Sequence, residues 1–259
     1  MHLTVNQHRL YYEVSGPQDG APVILLHHGL GSILSWDEQV PSLAEAGYRV
    51  FAYDRWGHGK SDLRPSFAMP EFREDLEDLQ SLMVLLQIDR TCLIGHSDGG
   101  TISLYFAALY PDLAACLVTV AAHTYVEPKM EPSLLEVQAA YRENRRFGRG
   151  MARAHGDKGQ AVLQNWFDGW AKESNRTWDM RPILGQITCP ALIIQGMEDE
   201  HATPQHAVNT AASIPGAEIW LVPEVGHMLP QDKSSDFNRK VLEFLRVNYP
   251  VVDSSLITS

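Results

Sequence analysis

Eight residues, Leu93-Ile94-Gly95-His96-Ser97-Asp98-Gly99-Gly100, restrict the fold of this chain more than any other stretch. The apolar run at 91–94 ahead of them reads as a buried strand, and 101–110 behind them carries apolar residues at helical period. Gly-x-Ser-x-Gly between a strand and a helix predicts a sharp turn with Ser97 at its apex. Gly95 and Gly99 are required because a Cβ at either would meet the neighbouring strand and helix. Ser97 is expected in a strained backbone conformation, its hydroxyl above the sheet. A helix N-terminus lies behind it, where developing negative charge is favoured.

The rest of the chain alternates around that turn. Residues 3–6 and 9–14 alternate like a hairpin, and 22–26 is a continuous apolar run ending in the loop His27-His28-Gly29-Leu30-Gly31-Ser32. A short helix is expected at 37–46, a strand at 48–53 and an amphipathic helix at 70–86, with Leu76, Leu79 and Met83 on its apolar stripe. A strand at 116–121 follows. Strand signals then vanish from 123 to 185, where helices are expected at 132–146 and 158–173. Arg142, Arg145, Arg146, Arg149 and Arg153 read there as a solvated helical face. Trp166, Phe167, Trp170 and Trp178 either form a small core of their own or line a pocket. Alternation resumes with strands at 191–195 and 218–222 and helices at 204–214 and 236–247. The small, polar tail after Pro250 is expected to be loose. The order predicts a mostly parallel α/β sheet of eight strands with helices on both faces. The core is 1–122 plus 186–259, with a helical cap insertion at 123–185.

Composition narrows the partners. A net charge of -11 over 259 residues argues against nucleic acid or an anionic membrane and weakly favours cationic substrates. Cys92, Cys116 and Cys189 sit in apolar runs without ligand spacing and read as buried reduced thiols. The start has no basic stretch leading into an apolar one, no run reaches transmembrane length, and a cytoplasmic location is the expectation. No metal-ligand spacing and no Gly-rich phosphate loop point to a metal or other cofactor.

A serine hydroxyl needs an adjacent base, and that base needs an orienting acid. In open α/β sheets such groups gather at the carboxyl ends of strands. Three loops there carry the right side chains: Ser97 after one strand, Asp199 after a later one, and His227 after the last. His27, His28, His58 and His96 compete as bases, and Glu198 competes as the acid.

The motifs His28-Gly29-Leu30-Gly31, Gly57-His58-Gly59-Lys60-Ser61, Gly95-His96-Ser97-Asp98-Gly99, Gly196-Met197-Glu198-Asp199 and Gly226-His227 occur in this order. Together they resemble the α/β-hydrolase-fold serine hydrolases over nearly the whole chain. The resemblance selects Ser97 as nucleophile, Asp199 as acid and His227 as base. It implies an oxyanion hole from the backbone N–H groups of Leu30 and Asp98. Ser97-Asp98-Gly99-Gly100, Ala122-His123-Thr124-Tyr125-Val126 and Trp166-Phe167-Asp168-Gly169 further resemble the valacyclovir hydrolase (biphenyl hydrolase-like) subfamily, in which the matching Asp holds a substrate α-amino group.

Two accounts of Asp98 follow: a first-turn carboxylate that favours its helix dipole, or a contact for a substrate ammonium. The second gains weight because a carboxylate beside a developing oxyanion needs a compensating cation. The expected activity is hydrolysis of a small carboxylic ester through an acyl-enzyme, with a preference for α-amino acid esters if Asp98 binds an amine. Asp98, Trp166 and Trp170 are the candidate substrate contacts. Carbon–carbon bond hydrolysis or lactone opening on the same triad is the alternative, and a non-catalytic binder of a small signalling molecule is a third class. The oligomeric state is open.

Overall fold

The computed structural model describes residues 1–251. The opening hairpin forms from β1 (His2–Val5) and β2 (His8–Ser15). Its turn residues Asn6 and Gln7 have φ of 45° and 73°, the left-handed pair whose twist matches the flanking strands. Then come β3 (Pro22–Leu26), α1 (Gln39–Glu45), β4 (Arg49–Asp54) and α2 (Arg73–Leu85). β5 (Thr91–His96) runs into α3 (Asp98–Leu109), and β6 (Ala114–Val120) follows. Between β6 and the next strand lie α4 (Met130–Glu143), α5 (Arg145–His155), α6 (Gly159–Trp170) and α7 (Arg181–Leu184). The chain closes with β7 (Ala191–Gly196), α8 (Pro204–Ala212), β8 (Glu218–Val222), α9 (Leu229–Asp232) and α10 (Ser234–Asn248).

The eight strands form one sheet in the order β1-β2-β4-β3-β5-β6-β7-β8. β1 with β2 and β2 with β4 pair antiparallel, and every other pair is parallel. The central strands are apolar throughout because both of their faces are covered. Ile24, Leu26 and Leu93 pack towards Leu79 of α2 and Phe106 of α3. Their neighbours Val23, Leu25 and Ile94 pack towards Leu43 of α1 and Phe237 and Leu245 of α10. That period of two turns one sequence into two cores.

Three features depart from expectation. The helix expected at 37–46 is present as α1, but a 3-10 turn at Ile33–Trp36, not expected, precedes it. Trp36 is buried under the sheet there, which fixes that turn by tertiary packing. The helix expected from residue 70 begins at Arg73, because Phe72 adopts φ 50° and buries its ring in the core. α5 was not foreseen as a separate helix. Asn144 ends α4 and caps α5 by accepting from the N–H groups of Arg146 (2.9 Å) and Phe147 (3.3 Å). The five arginines named above are exposed, and the three cysteines are buried free thiols. The tail beyond Val251 lies outside the described residues, and among those described no helix is long and apolar enough to cross a membrane.

Candidate active site

The β5–α3 turn has the strain its sequence demands. Ser97 sits at φ 54°, ψ -119°, a conformation that L-residues rarely adopt. A Cβ on Gly95 would fall 2.3 Å from the Gly99 carbonyl oxygen, and one on Gly99 would fall 2.1 Å from the Leu26 carbonyl oxygen. Both obstacles are backbone, so neither can move aside. Ser97 is pinned by its N–H donating to Val120 O (2.9 Å) and its carbonyl accepting from Thr101 N–H (2.9 Å).

Asp199, after β7, and His227, after β8, meet behind that turn. His227 Nδ1 lies 2.9 Å from Asp199 Oδ2. The same oxygen accepts from Gln195 Nε2 (2.6 Å), and Oδ1 accepts from the N–H groups of His201 (2.7 Å) and Ala202 (3.2 Å). With its acceptors so filled, Asp199 cannot rotate. Burial opposes its charge, yet the neighbouring imidazole and these donors prevail and hold its carboxyl well below the usual range. Burial likewise opposes charge on His227, but Asp199 outweighs it and the imidazole is raised above its ordinary value. The competing acid Glu198 is exposed. Glu200, not singled out from sequence, accepts from the His227 N–H (3.0 Å) and steadies the base from outside.

Three further histidines hold the loop after β3. His27 Nδ1 donates to His28 O (2.8 Å) while its Nε2 accepts from Arg55 N–H (3.0 Å). His58 Nε2 donates to Gly29 O (2.9 Å). His155, from α5, accepts from Gly59 N–H (2.9 Å) and donates to Leu30 O (3.0 Å). Three successive carbonyls are therefore tied by three buried imidazoles. A trans peptide points its C=O and N–H in opposite directions, so the grip of His58 on Gly29 O also sets the direction of the Leu30 N–H. His96 donates from Nε2 to His227 O (2.9 Å). Burial lowers the pKa of each of these four imidazoles, keeping them neutral as the tautomers require.

Ser97, Asp98, His227, Leu30, Trp166 and Trp170 all line one cavity of about 280 Å³. Trp166, Phe167, Trp170 and Trp178 all pack in or against the core, and Trp166 and Trp170 also face the cavity, while Trp178 donates to Tyr105 Oη (2.8 Å). Asp98 is 2% exposed. Its Oδ1 accepts from Trp170 Nε1 (3.1 Å), and its Oδ2 has only the Arg55 guanidinium at 3.8 Å and no hydrogen bond. Burial pushes the carboxyl up to about 6, against the pull of Arg55 and Trp170. Arg55 was missed from sequence. The signal was its place directly after β4, at the same carboxyl edge as the other functional loops.

Residues 22–154 match the family described as the alpha/beta hydrolase fold, and the chain belongs to that family. It is similar to the human serine hydrolase BPHL, 29% identical over 252 residues that span 94% of this chain and 85% of that protein. It is also similar to the 2-hydroxy-6-oxo-6-phenylhexa-2,4-dienoate hydrolase of Comamonas testosteroni, 25% identical over 92% of this chain and 91% of that one. Among solved structures, the enol-lactonase from Burkholderia xenovorans shares the fold with a TM-score of 0.77 at 23% identity, covering 95% of this chain and 99% of that one.

Proposed function

We propose that this chain is a serine hydrolase that cleaves small carboxylic esters through an acyl-enzyme, with a preference for α-amino acid esters. The observation that carries the reading is the Asp199–His227 pair at 2.9 Å opening onto the same cavity as a strained Ser97. His227 takes the Ser97 proton as Oγ attacks the ester carbonyl, and the oxyanion is met by the N–H groups of Leu30 and Asp98. Collapse of the tetrahedral intermediate breaks the C–O bond, and His227 returns the proton to the departing alcohol. Water, deprotonated by the same imidazole, then attacks the acyl-enzyme and frees the acid and Ser97. Residues 123–185 act as a cap, contributing Trp166 and Trp170 as substrate contacts.

The amino preference rests on Asp98. Its unsatisfied Oδ2 is a buried acceptor without a donor, a costly state that a substrate ammonium relieves. Asp98 and Glu200 contribute carboxylates to the cavity lining, and no Lys or Arg is among the lining residues. That charge balance disfavours an anionic dienoate of the kind named for the Comamonas relative. The similarity to that relative nevertheless keeps carbon–carbon hydrolysis as the second reading, with lactone opening beside it. The test is a substrate panel: α-amino acid esters, the matching esters without the amine, lactones and vinylogous diketones. The reading expects a burst of alcohol from esters and a higher kcat/KM when the amine is present. Faster turnover of a dienoate or a lactone than of any ester overturns it.

A further inference from the structure

Asp98 ends a line of alternating charges that runs inward from the surface. Glu74, partly exposed, accepts from Arg64 (2.8 Å). Arg64 donates to Asp75 Oδ2 (2.8 Å), Asp75 Oδ1 accepts from Arg55 Nη1 (3.1 Å), and Arg55 Nη2 reaches 3.8 Å from Asp98 Oδ2. Arg64, Asp75, Arg55 and Asp98 are all buried. Arg55 Nη2 also lies 3.5 Å from the carbonyl of His28, and its backbone N–H is held by His27. The guanidinium is thus fixed from several sides. It stands near enough to Asp98 for a strong electrostatic effect, yet leaves Oδ2 without a hydrogen bond.

We propose that Arg55 is a positioning residue for substrate selection: its guanidinium, anchored by Asp75, keeps the Asp98 carboxylate charged without occupying it, so that a substrate ammonium finds a charged and vacant acceptor. The inference rests on the amino-ester reading above and adds a residue that touches no substrate. An ammonium–carboxylate contact needs a deprotonated acid and a protonated amine at once. Burial pushes Asp98 up to about 6 even with Arg55 beside it, and an α-amino group titrates near about 8. The contact therefore exists only in a window about two pH units wide, and Arg55 sets its acid edge. The other groups facing Asp98 are Asp75 from α2, which raises it, and His227 after β8 and the Trp170 N–H from α6, which lower it. His28, His123, Glu200 and His201 are the other ionisable residues of the cavity lining.

The experiment measures the ratio of kcat/KM for an alanine p-nitrophenyl ester to that for the propionyl ester, from pH 5 to 9. The ratio cancels the ionisation of His227, which both substrates share. The wild-type ratio should trace a bell with limbs near 6 and 8. In Arg55→Gln the acid limb moves up towards the amine limb and the ratio at pH 7 falls about tenfold or more, while the propionyl ester keeps its pH dependence. Arg55→Lys, which restores the charge, recovers most of the ratio. Asp75→Asn, which frees Arg55 to close on Oδ2, shifts the acid limb down and also lowers the plateau of the ratio, because the acceptor is now filled. A lowered limb with an unchanged plateau reports only the lost Asp75 charge and counts against an anchored Arg55, which keeps the idea testable should Arg55→Gln not fold. A bell in the wild type that neither Arg55→Gln nor Asp75→Asn moves overturns the role of Arg55 alone. A wild-type ratio near one at every pH overturns the amino-ester reading and this inference with it.

Discussion

In the proposed mechanism His227 and Asp199 carry the pH behaviour of the site. The base must be neutral to accept the Ser97 proton, so kcat/KM should rise with pH through one ionisation. Since Asp199 outweighs burial and raises that ionisation, its midpoint should lie above about 6.5. In Asp199→Asn only burial remains dominant, so the midpoint should fall below that value while the maximal rate drops by about 10⁴; a pH–rate profile of each protein reads both effects. The same shifts bear on stability. The His227 contribution is complete below about 6.5 and is lost as pH rises through its raised value. The Asp199 contribution is present above about 3.9 and is lost as pH falls through its depressed value. His58 belongs to this scale too. Its bond to Gly29 O aims the Leu30 N–H, which in the proposed mechanism is needed only when the oxyanion forms. His58→Leu, which keeps the volume but removes the bond, should lower kcat by about 10² and leave KM near wild type. Equal changes in kcat and KM would show a general loosening of the pocket.

Among the elements, those whose ends are set by their own residues were legible in the sequence. β3 and β8 fall on residues 22–26 and 218–222 as expected, because an apolar run ends where polar or small residues begin. The β5–α3 turn was legible for the same reason, its two glycines having no alternative. Elements set by distant packing were not. α2 starts late because Phe72 goes into the core, and α5 forms despite Gly148 and Gly150, through the Asn144 cap and the burial of Met151 and His155. Of the candidate site, three loop positions offered Ser97, Asp199 and His227, and the family resemblance, not position, preferred them over His27, His28, His58, His96 and Glu198. Arg55, Glu200 and His155 act through partners far along the chain, which spacing does not reveal, and Gln195, only four residues before Asp199, carries no motif that marks the contact. Two glycine substitutions contrast these kinds of element. Gly99→Ala sets a Cβ against the Leu26 backbone and should cost at least about 1–3 kcal/mol. Gly150→Ala meets nothing within 4 Å and should stabilise α5 by about 0.5–1 kcal/mol. Thermal unfolding of both variants gives the signs directly, and a stabilised Gly99→Ala protein would contradict the account of the turn.

Across the whole molecule, a mostly parallel sheet gathers loops from distant parts of the chain at one edge, and helices between β6 and β7 contribute to the same cavity. Ser97 follows β5, Asp199 follows β7, and His227 follows β8, the last strand of the sheet. Trp166 and Trp170 come from α6 and bring apolar walls to a cavity of about 280 Å³, small enough to enclose a compact ester. The central claim is that Ser97 forms the covalent bond. It is tested most directly by treating the protein with a fluorophosphonate, mapping the modified peptide by mass spectrometry, and assaying Ser97→Ala on the best ester of the panel. The account predicts one label per chain, on Ser97, together with loss of ester turnover by several orders of magnitude in the variant, which stays folded. A label on another residue, or turnover near wild type in Ser97→Ala, would contradict it.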